Sequence, residues 1–270
     1  MADNVKLTIA YDGAAYAGWQ RQRNRPTIQE FLEEALGRML GHRVVVHGAG
    51  RTDAGVHALG MVANFQPARS LPLTAYRRGL NSMLPPDIRI LAAEAAEPDF
   101  HARFSARGKA YLYHFTTAAV MPPCRRLYCA HFPGSFAGEM VRAALPQLLG
   151  EHDFSAFEAT GSRSRAAAGE AERGRGAVRC LSRLSLHREQ ADWLPGPAAA
   201  GDSPGETYRL VVAGDGFLRH MVRNIVGTLV EVGRGRRPPD SLGELLATGE
   251  RSLAGPTAPA CGLTLWQVYY

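Results

Sequence analysis

The sequence predicts an α+β protein made of two copies of a β-α-β-β-α-β unit, with mainly antiparallel sheets. Three observations carry this. Short stretches alternate apolar and polar residues with the period of a strand. Between them lie longer stretches in which apolar residues recur three and four positions apart, as on one face of a helix. The order of these elements in the first hundred residues is then repeated in the rest of the chain.

In the first copy, Val5, Leu7, Ile9 and Tyr11 alternate as on a strand. Thr27-Ile28-Gln29-Glu30 has the form of a capping box, in which the threonine hydroxyl and the glutamate carboxylate each accept a free backbone N–H. Ile28, Phe31, Leu32, Ala35, Leu36 and Met39 follow at helical spacing. Strands are predicted at 43–47 and 61–65, then a helix over 73–84 with Tyr76, Leu80 and Leu84 on one face, and a strand from Asp87 to Leu91.

The second copy opens with Tyr111, Tyr113 and Phe115 on a strand. A helix is predicted from Ser135 to Leu149, interrupted by Pro146, with strands near 178–187 and 207–213. An amphipathic helix is predicted from Phe217 to Val232, with Leu218, Met221, Val222, Ile225, Val226 and Leu229 inward. A short helix near 241–247 precedes a last strand from Leu263 to Tyr269. This divides the chain into domains at 1–106 and 107–270. Residues 159–177 and 189–206 are poor in large apolar groups and read as insertions.

The chain has 270 residues, 46% of them apolar, enough to bury a substantial core. No run is long and apolar enough to cross a membrane, and the N-terminus lacks a signal peptide's apolar segment. The four cysteines, Cys124, Cys129, Cys180 and Cys261, have no metal-site spacing and read as core thiols of a reduced cytoplasmic protein, with a Cys124–Cys129 contact left open. A net charge of +6 suits an anionic partner such as nucleic acid. The argument is weak alone, because all the Lys+Arg residues except Lys6 and Lys109 are arginine, a skew that genomic base composition also produces.

The most informative stretch is Gly50-Arg51-Thr52-Asp53-Ala54-Gly55-Val56-His57-Ala58. It places one carboxylate on a short loop between two glycines, with strand-like runs on both sides. A loop held by rigid strands is where catalytic groups are commonly found. A lone Asp-x-Gly would read as a turn in which the aspartate caps its own backbone. The full string closely resembles the active-site motif of the TruA-type tRNA pseudouridine synthases. Other matches follow in order: Tyr11-Asp12-Gly13, Gly18-Trp19-Gln20-Arg21-Gln22, Asn81 with Leu84-Pro85-Pro86-Asp87-Ile88, Phe100-His101-Ala102-Arg103, Tyr111-Leu112-Tyr113, His152 to Phe157, Phe217 to Gly227, and Ala258 to Leu263.

This resemblance implies the pseudouridine synthase fold, with the two units joined around a central RNA-binding cleft. It implies isomerisation of uridine to pseudouridine at positions 38 to 40 of the tRNA anticodon stem-loop, without redox change, metal or cofactor. It also implies a cytoplasmic homodimer that binds tRNA across both subunits. Asp53 resembles the catalytic carboxylate, which could attack C1′ or C6 or remove the 2′ proton. Arg223 resembles the guanidinium that pairs with it; from periodicity alone Arg223 is one more arginine on an amphipathic helix, with Arg219 one turn before. Tyr111 resembles the tyrosine that stacks on the uracil, and otherwise reads as a core aromatic. Arg51 is assigned to the flipped base or its phosphate, with a surface ion pair as the equal alternative. Leu263 is expected near the catalytic loop. His57 reads as a satisfied turn residue and receives no proton-transfer role. The arginines at 21–25, 77–78 and 163–183 are candidate phosphate contacts. A non-catalytic RNA-binding module would need no such carboxylate, and an aspartate-nucleophile hydrolase would need a metal or a second acid that the sequence does not display.

Overall fold

A computed structural model describes residues 4–161, 176–190 and 205–270. The α+β class read from the sequence is the class observed, and the strand pairs are mainly antiparallel. The chain forms two compact units, residues 1–109 with 264–270, and residues 110–263.

The first unit contains β1 (Asn4–Tyr11), α1 (Ile28–Leu40), the two-residue β2 (His47–Gly48), β3 (His57–Phe65), α2 (Leu73–Met83) and β4 (Ile88–Ala96). The last strand, β10 (Leu263–Tyr269), joins it from Thr264 onward. The strand order is β4-β1-β3-β10, with β2 on β3. The register puts Leu7 opposite Ala63 and Ala93, so one face of the sheet carries Val5, Leu7, Ile9, Met61 and Phe65, all buried. Against that face lie Ile28, Leu32, Leu36, Tyr76 and Leu80, none more than 0% exposed, and Tyr76 meets Phe65 edge-on at 5.4 Å. Each such large side chain contributes about 1.5–3 kcal/mol by leaving water.

Two local expectations fail here. Thr27 is the N-cap of α1, but its side chain makes no capping hydrogen bond and its buried hydroxyl has no partner. The first helical amides are satisfied instead by carbonyls of the preceding segment: Ile28 N–H donates to Gly18 O at 3.2 Å and Gln29 N–H to Trp19 O at 3.0 Å. Glu30 lies 3.5 Å from the Arg21 guanidinium. The strand expected at 43–47 shrinks to His47–Gly48 because α1 side chains take the Val46 backbone: Val46 N–H donates to Glu33 and Val46 O accepts from Gln29.

The second unit carries most of β5 (Gly108–Thr116), then β6 (Ala130–His131), α3 (Gly138–Ala144), β7 (Gly150–Asp153), β8 (Val178–Glu189), β9 (Thr207–Gly214), α4 (Met221–Gly233) and α5 (Ser241–Thr248). The strand order is β5-β9-β8-β7, with β6 on β5. Phe115 stacks on Tyr208 at 5.2 Å, and Phe136 lies 4.8 Å from Tyr208. The helix expected over 135–149 is only α3, followed by a 3-10 turn over Leu145–Leu148 that holds Pro146 near its start, where no intrahelical N–H is required of it. The helix expected from Phe217 begins at Met221, because His220 adopts a left-handed conformation with φ 62°. Leu218 therefore lies outside it, whereas Met221, Val222, Ile225, Val226 and Leu229 are buried as expected.

Cys129 is buried, but Cys124 is exposed, which corrects the reading of every cysteine as a core thiol. Cys129 lies near Cys261, whose thiol approaches the Cys129 carbonyl at 3.8 Å; all four thiols are free. Both insertions fall largely outside the described residues. No helix among the described residues is long and apolar enough to cross a membrane.

In the second unit the tightest glycine contact among the described residues leaves no tolerance for a side chain. A Cβ at Gly227 on α4 would lie 1.6 Å from the Pro256 carbonyl oxygen, a backbone atom. Gly227→Ala is expected to cost at least about 1–3 kcal/mol by overpacking, read as a lower urea midpoint with an unchanged slope.

Candidate active site

In the first unit the Asp53 loop is built against the segment after β1. Gly13 N–H donates to His57 Nδ1 at 3.1 Å, and Trp19 N–H donates to Thr52 O at 3.1 Å. Gly55 N–H donates to Tyr16 O at 3.3 Å. The buried Tyr11 and Thr52 hydroxyls share a hydrogen bond of 2.8 Å. The approach is close enough to exclude side chains: a Cβ at Gly13 would lie 2.0 Å from Val56 O, and one at Gly18 would lie 2.4 Å from Thr52 O. Gly18 also has φ 97°, which L side chains rarely adopt.

The supporting segment is itself anchored. Asp12 N–H donates to Asp87 O at 2.9 Å, and Tyr16 OH donates to Asp87 Oδ1 at 2.7 Å. Burial, that bond and the charges of Asp87 and Asp12 raise the Tyr16 phenol above its ordinary range, so it stays protonated and keeps donating. The Tyr-Asp-Gly and Pro-Pro-Asp motifs, far apart in the chain, are therefore two parts of one support.

Asp53 sits half-buried on this loop, and Val56 N–H closes the turn onto Asp53 O at 3.2 Å. Arg51 is exposed, and its Nε donates to Gln20 Oε1 at 3.1 Å. His57 is 5% exposed; its Nδ1 accepts from Gly13 and lies 3.1 Å from Asp12 Oδ1. That nitrogen is committed to the loop's framework, but His57 is the first residue of β3 rather than the turn residue read from the sequence. Lys109 brings its ammonium against Gly50, where a Cβ would lie 3.0 Å from Nζ. Thr264, immediately after Leu263, pairs with His57 across β10 and β3.

In the second unit Tyr111 is 9% exposed on β5 and meets Phe217 edge-on at 5.0 Å. Phe217 is free to do so because α4 starts only at Met221. Arg223, on the first turn of α4, donates from Nε to Ala258 O at 2.7 Å, and Ala258 N–H donates to Arg223 O at 3.1 Å. This reciprocal pair fixes the plane of the guanidinium. Behind it the fully buried Asn224 donates to Phe157 O at 2.7 Å and accepts from Arg251 and Thr257. Tyr113 is fully buried and donates to Pro259 O at 2.8 Å. Burial holds its phenol well above the ordinary value, while the positive charge of Arg223 acts in the opposite direction. Leu263 is buried at the start of β10.

A model of the tRNA pseudouridine synthase family matches residues 7–105 and 144–270. The chain belongs to the tRNA pseudouridine synthase family. It is 45% identical over 99% of its length to tRNA pseudouridine synthase A 1 of Desulfotalea psychrophila, covering 99% of that protein. It is also 45% identical to tRNA pseudouridine synthase A of Myxococcus xanthus, over 98% of this chain and 91% of the other. The Geobacillus kaustophilus protein of that name is 41% identical over 100% of this chain and 95% of the relative. Among solved structures there is a faint likeness to a Cbf5–Nop10–Gar1 complex, at TM-score 0.37 and 10% identity over 97% of this chain and 48% of the other. As a tRNA pseudouridine synthase the protein is an isomerase, which requires it to present groups to a uridine without supplying a redox partner.

Sequence reasoning about sites missed the support of the Asp53 loop. Tyr11, Gly13, Gly18 and Trp19 lie in motifs that were visible, but nothing local says that they carry residues 52–57. The support gives a direct test. Gly18→Ala is expected to displace the Thr52 carbonyl and lower kcat by about tenfold or more, while tRNA affinity measured by filter binding stays within a few-fold.

Proposed function

We propose that this enzyme converts uridine to pseudouridine at positions 38 to 40 in the anticodon stem-loop of tRNA, with Asp53 as its catalytic carboxylate. The observation that carries this reading is the Gly50–Ala58 motif folded as a backbone-supported loop with Asp53 half-buried on it. The uridine leaves its stack to meet the carboxylate. The N1–C1′ bond breaks, the uracil turns, and C5 bonds to C1′. The C5 proton departs, N1 takes one up, and atoms and electrons balance with no co-reactant. An ionised Asp53 serves this by attack at C1′, by attack at C6, or by removing the 2′ proton.

The other roles follow the family resemblance. Tyr111 stacks on the uracil and its hydroxyl orients it. Arg223 supplies the guanidinium that pairs with the Asp53 carboxylate. Arg51 contacts the flipped base or its phosphate, and Leu263 supplies apolar packing. Residues 1–106 carry the catalytic loop and 107–270 complete the active site. The enzyme works in the cytoplasm as a homodimer that binds tRNA across both subunits.

The assay is tritium release from unmodified tRNA carrying uridine labelled at C5. Asp53→Asn keeps the side-chain shape and removes the charge; release is expected to fall by roughly a thousandfold or more, with tRNA affinity within a few-fold because phosphate contacts dominate binding. Near wild-type turnover would refute the role of Asp53. Arg223→Lys keeps the charge but loses the planar fork that Ala258 orients, and turnover is expected to fall by about tenfold or more. A lysine variant with most of the wild-type rate would remove Arg223 from the mechanism.

A further inference from the structure

A second feature of the first unit is an ordered aromatic stack at its surface. His47 on β2 and His101 have ring centroids 4.9 Å apart, and His101 and Phe104 have centroids 4.4 Å apart, tilted by 36°. The Arg103 guanidinium lies 5.7 Å from the Phe104 ring centroid. His47 is exposed, and Phe104 is 68% exposed. Isolated exposed aromatics are ordinary, but three rings and a guanidinium held in series are not.

The stack is held from below by buried polar groups. Asn64, the register partner of His47, is 3% exposed; it donates to Asn4 Oδ1 at 3.0 Å and accepts from Ala102 N–H at 2.8 Å. Asn4, 2% exposed, donates to the carbonyls of Glu97 and Phe100 at 2.9 and 2.7 Å. Tyr270 OH donates to Ala102 O at 2.7 Å. Within the loop, His101 N–H donates to Ser105 Oγ and Arg103 N–H donates to His101 Nδ1, each at 3.1 Å. Two buried asparagines thus fix the loop beside His47, six residues before Asp53.

The chemistry of the stack selects a class of ligand. Burial, and next the neighbouring His47, lower the His101 imidazole below its ordinary value, so at neutral pH the middle ring of the stack is uncharged. Unpaired bases stack on exposed rings and on arginine planes; bases inside a duplex have no open face to offer. The positive charge of Arg103, in a chain of net charge +6, suits a polyanion.

We propose that His47, His101 and Phe104 form a stacking platform for an unpaired nucleotide of the substrate tRNA, outside the nucleotide that is isomerised, with Arg103 beside it. This rests on the reading of the substrate as tRNA. The platform contributes affinity and placement, not chemistry.

The test compares Phe104→Ala, Phe104→Leu and Phe104→Trp in the full-length enzyme with unmodified tRNA. Dissociation constants are measured across a salt series, with kcat/KM, thermal melting and sedimentation alongside. Alanine and leucine are both expected to weaken binding by about tenfold, the order of one base stack. Tryptophan should restore wild-type affinity or better. The slope of affinity against salt should not change, since no phosphate contact is lost. Leucine binding as tightly as wild type would overturn the proposal, because apolar area would then suffice. So would alanine within twofold of wild type, or alanine altering self-association while tRNA affinity stands, which would make this face a contact between copies of the chain. Wild-type enzyme that released no tritium from labelled tRNA would instead refute the proposed reaction, so the two failures are distinguishable.

Discussion

The constraint on which the Asp53 loop depends is a backbone-to-backbone contact. The segment after β1 approaches residues 52–57 so closely that neither Gly13 nor Gly18 has room for a methyl group. At that distance main-chain groups satisfy one another directly, as Trp19 N–H with Thr52 O and Gly55 N–H with Tyr16 O show. Buried side chains add to the contact: the Tyr11 and Thr52 hydroxyls share a hydrogen bond, and Gly13 N–H donates to His57 Nδ1. A loop attached through its backbone has few ways to move, because main-chain positions lack the rotamer freedom of a long side chain. Such a mounting holds the carboxylate it carries in one position.

The second unit reaches rigidity by a related route. Residues 255–258 lie against α4 at Gly227, again backbone on backbone, and Asn224 ties the same stretch through Thr257 and Arg251. Asn224 has all of its side-chain partners inside the protein, so its burial costs little and specifies one arrangement. Arg223 gains from this at one remove. Its Nε bond to Ala258 is only as well placed as Ala258 itself, and the Asn224 network fixes that residue. The guanidinium is thereby held in one orientation.

Much of this was legible in the sequence, for identifiable reasons. The strand and helix periods report which faces are buried, and so Leu7 and Ile9, or Ile225 and Leu229, could be placed inside without a structure. The family was legible because the motif around Asp53 is contiguous. The failures occur where a long-range contact overrides a local signal. Thr27-x-x-Glu30 is a sound capping box, but the carbonyls of Gly18 and Trp19 reach the helix first. Val44-Val45-Val46 favours a strand, but Glu33 and Gln29 take the backbone groups that a neighbour would have paired. The periodicity of α4 extends back to Phe217, and nothing in it signals that His220 will turn left-handed and release Phe217 to meet Tyr111. The partners of the Asp53 loop were hidden for the same reason: Tyr11 and Thr52 are 41 residues apart, and periodicity does not report pairs at that separation.

The two classes of error and success share a physical basis that bears on how such an enzyme can work. Periodic burial supplies most of the folding free energy and leaves the chain a choice of loop conformations. The contacts that periodicity cannot reveal make that choice. They are few, polar and unforgiving of a single added carbon, as at Gly13 and Gly227. Ordering the Asp53 loop costs conformational entropy, about 1–2 kcal/mol per residue, and that cost is met once, on folding, by the buried core beneath. Binding of tRNA then need not order the loop again. More of its interaction energy then remains for whatever rearrangement of the tRNA the reaction requires.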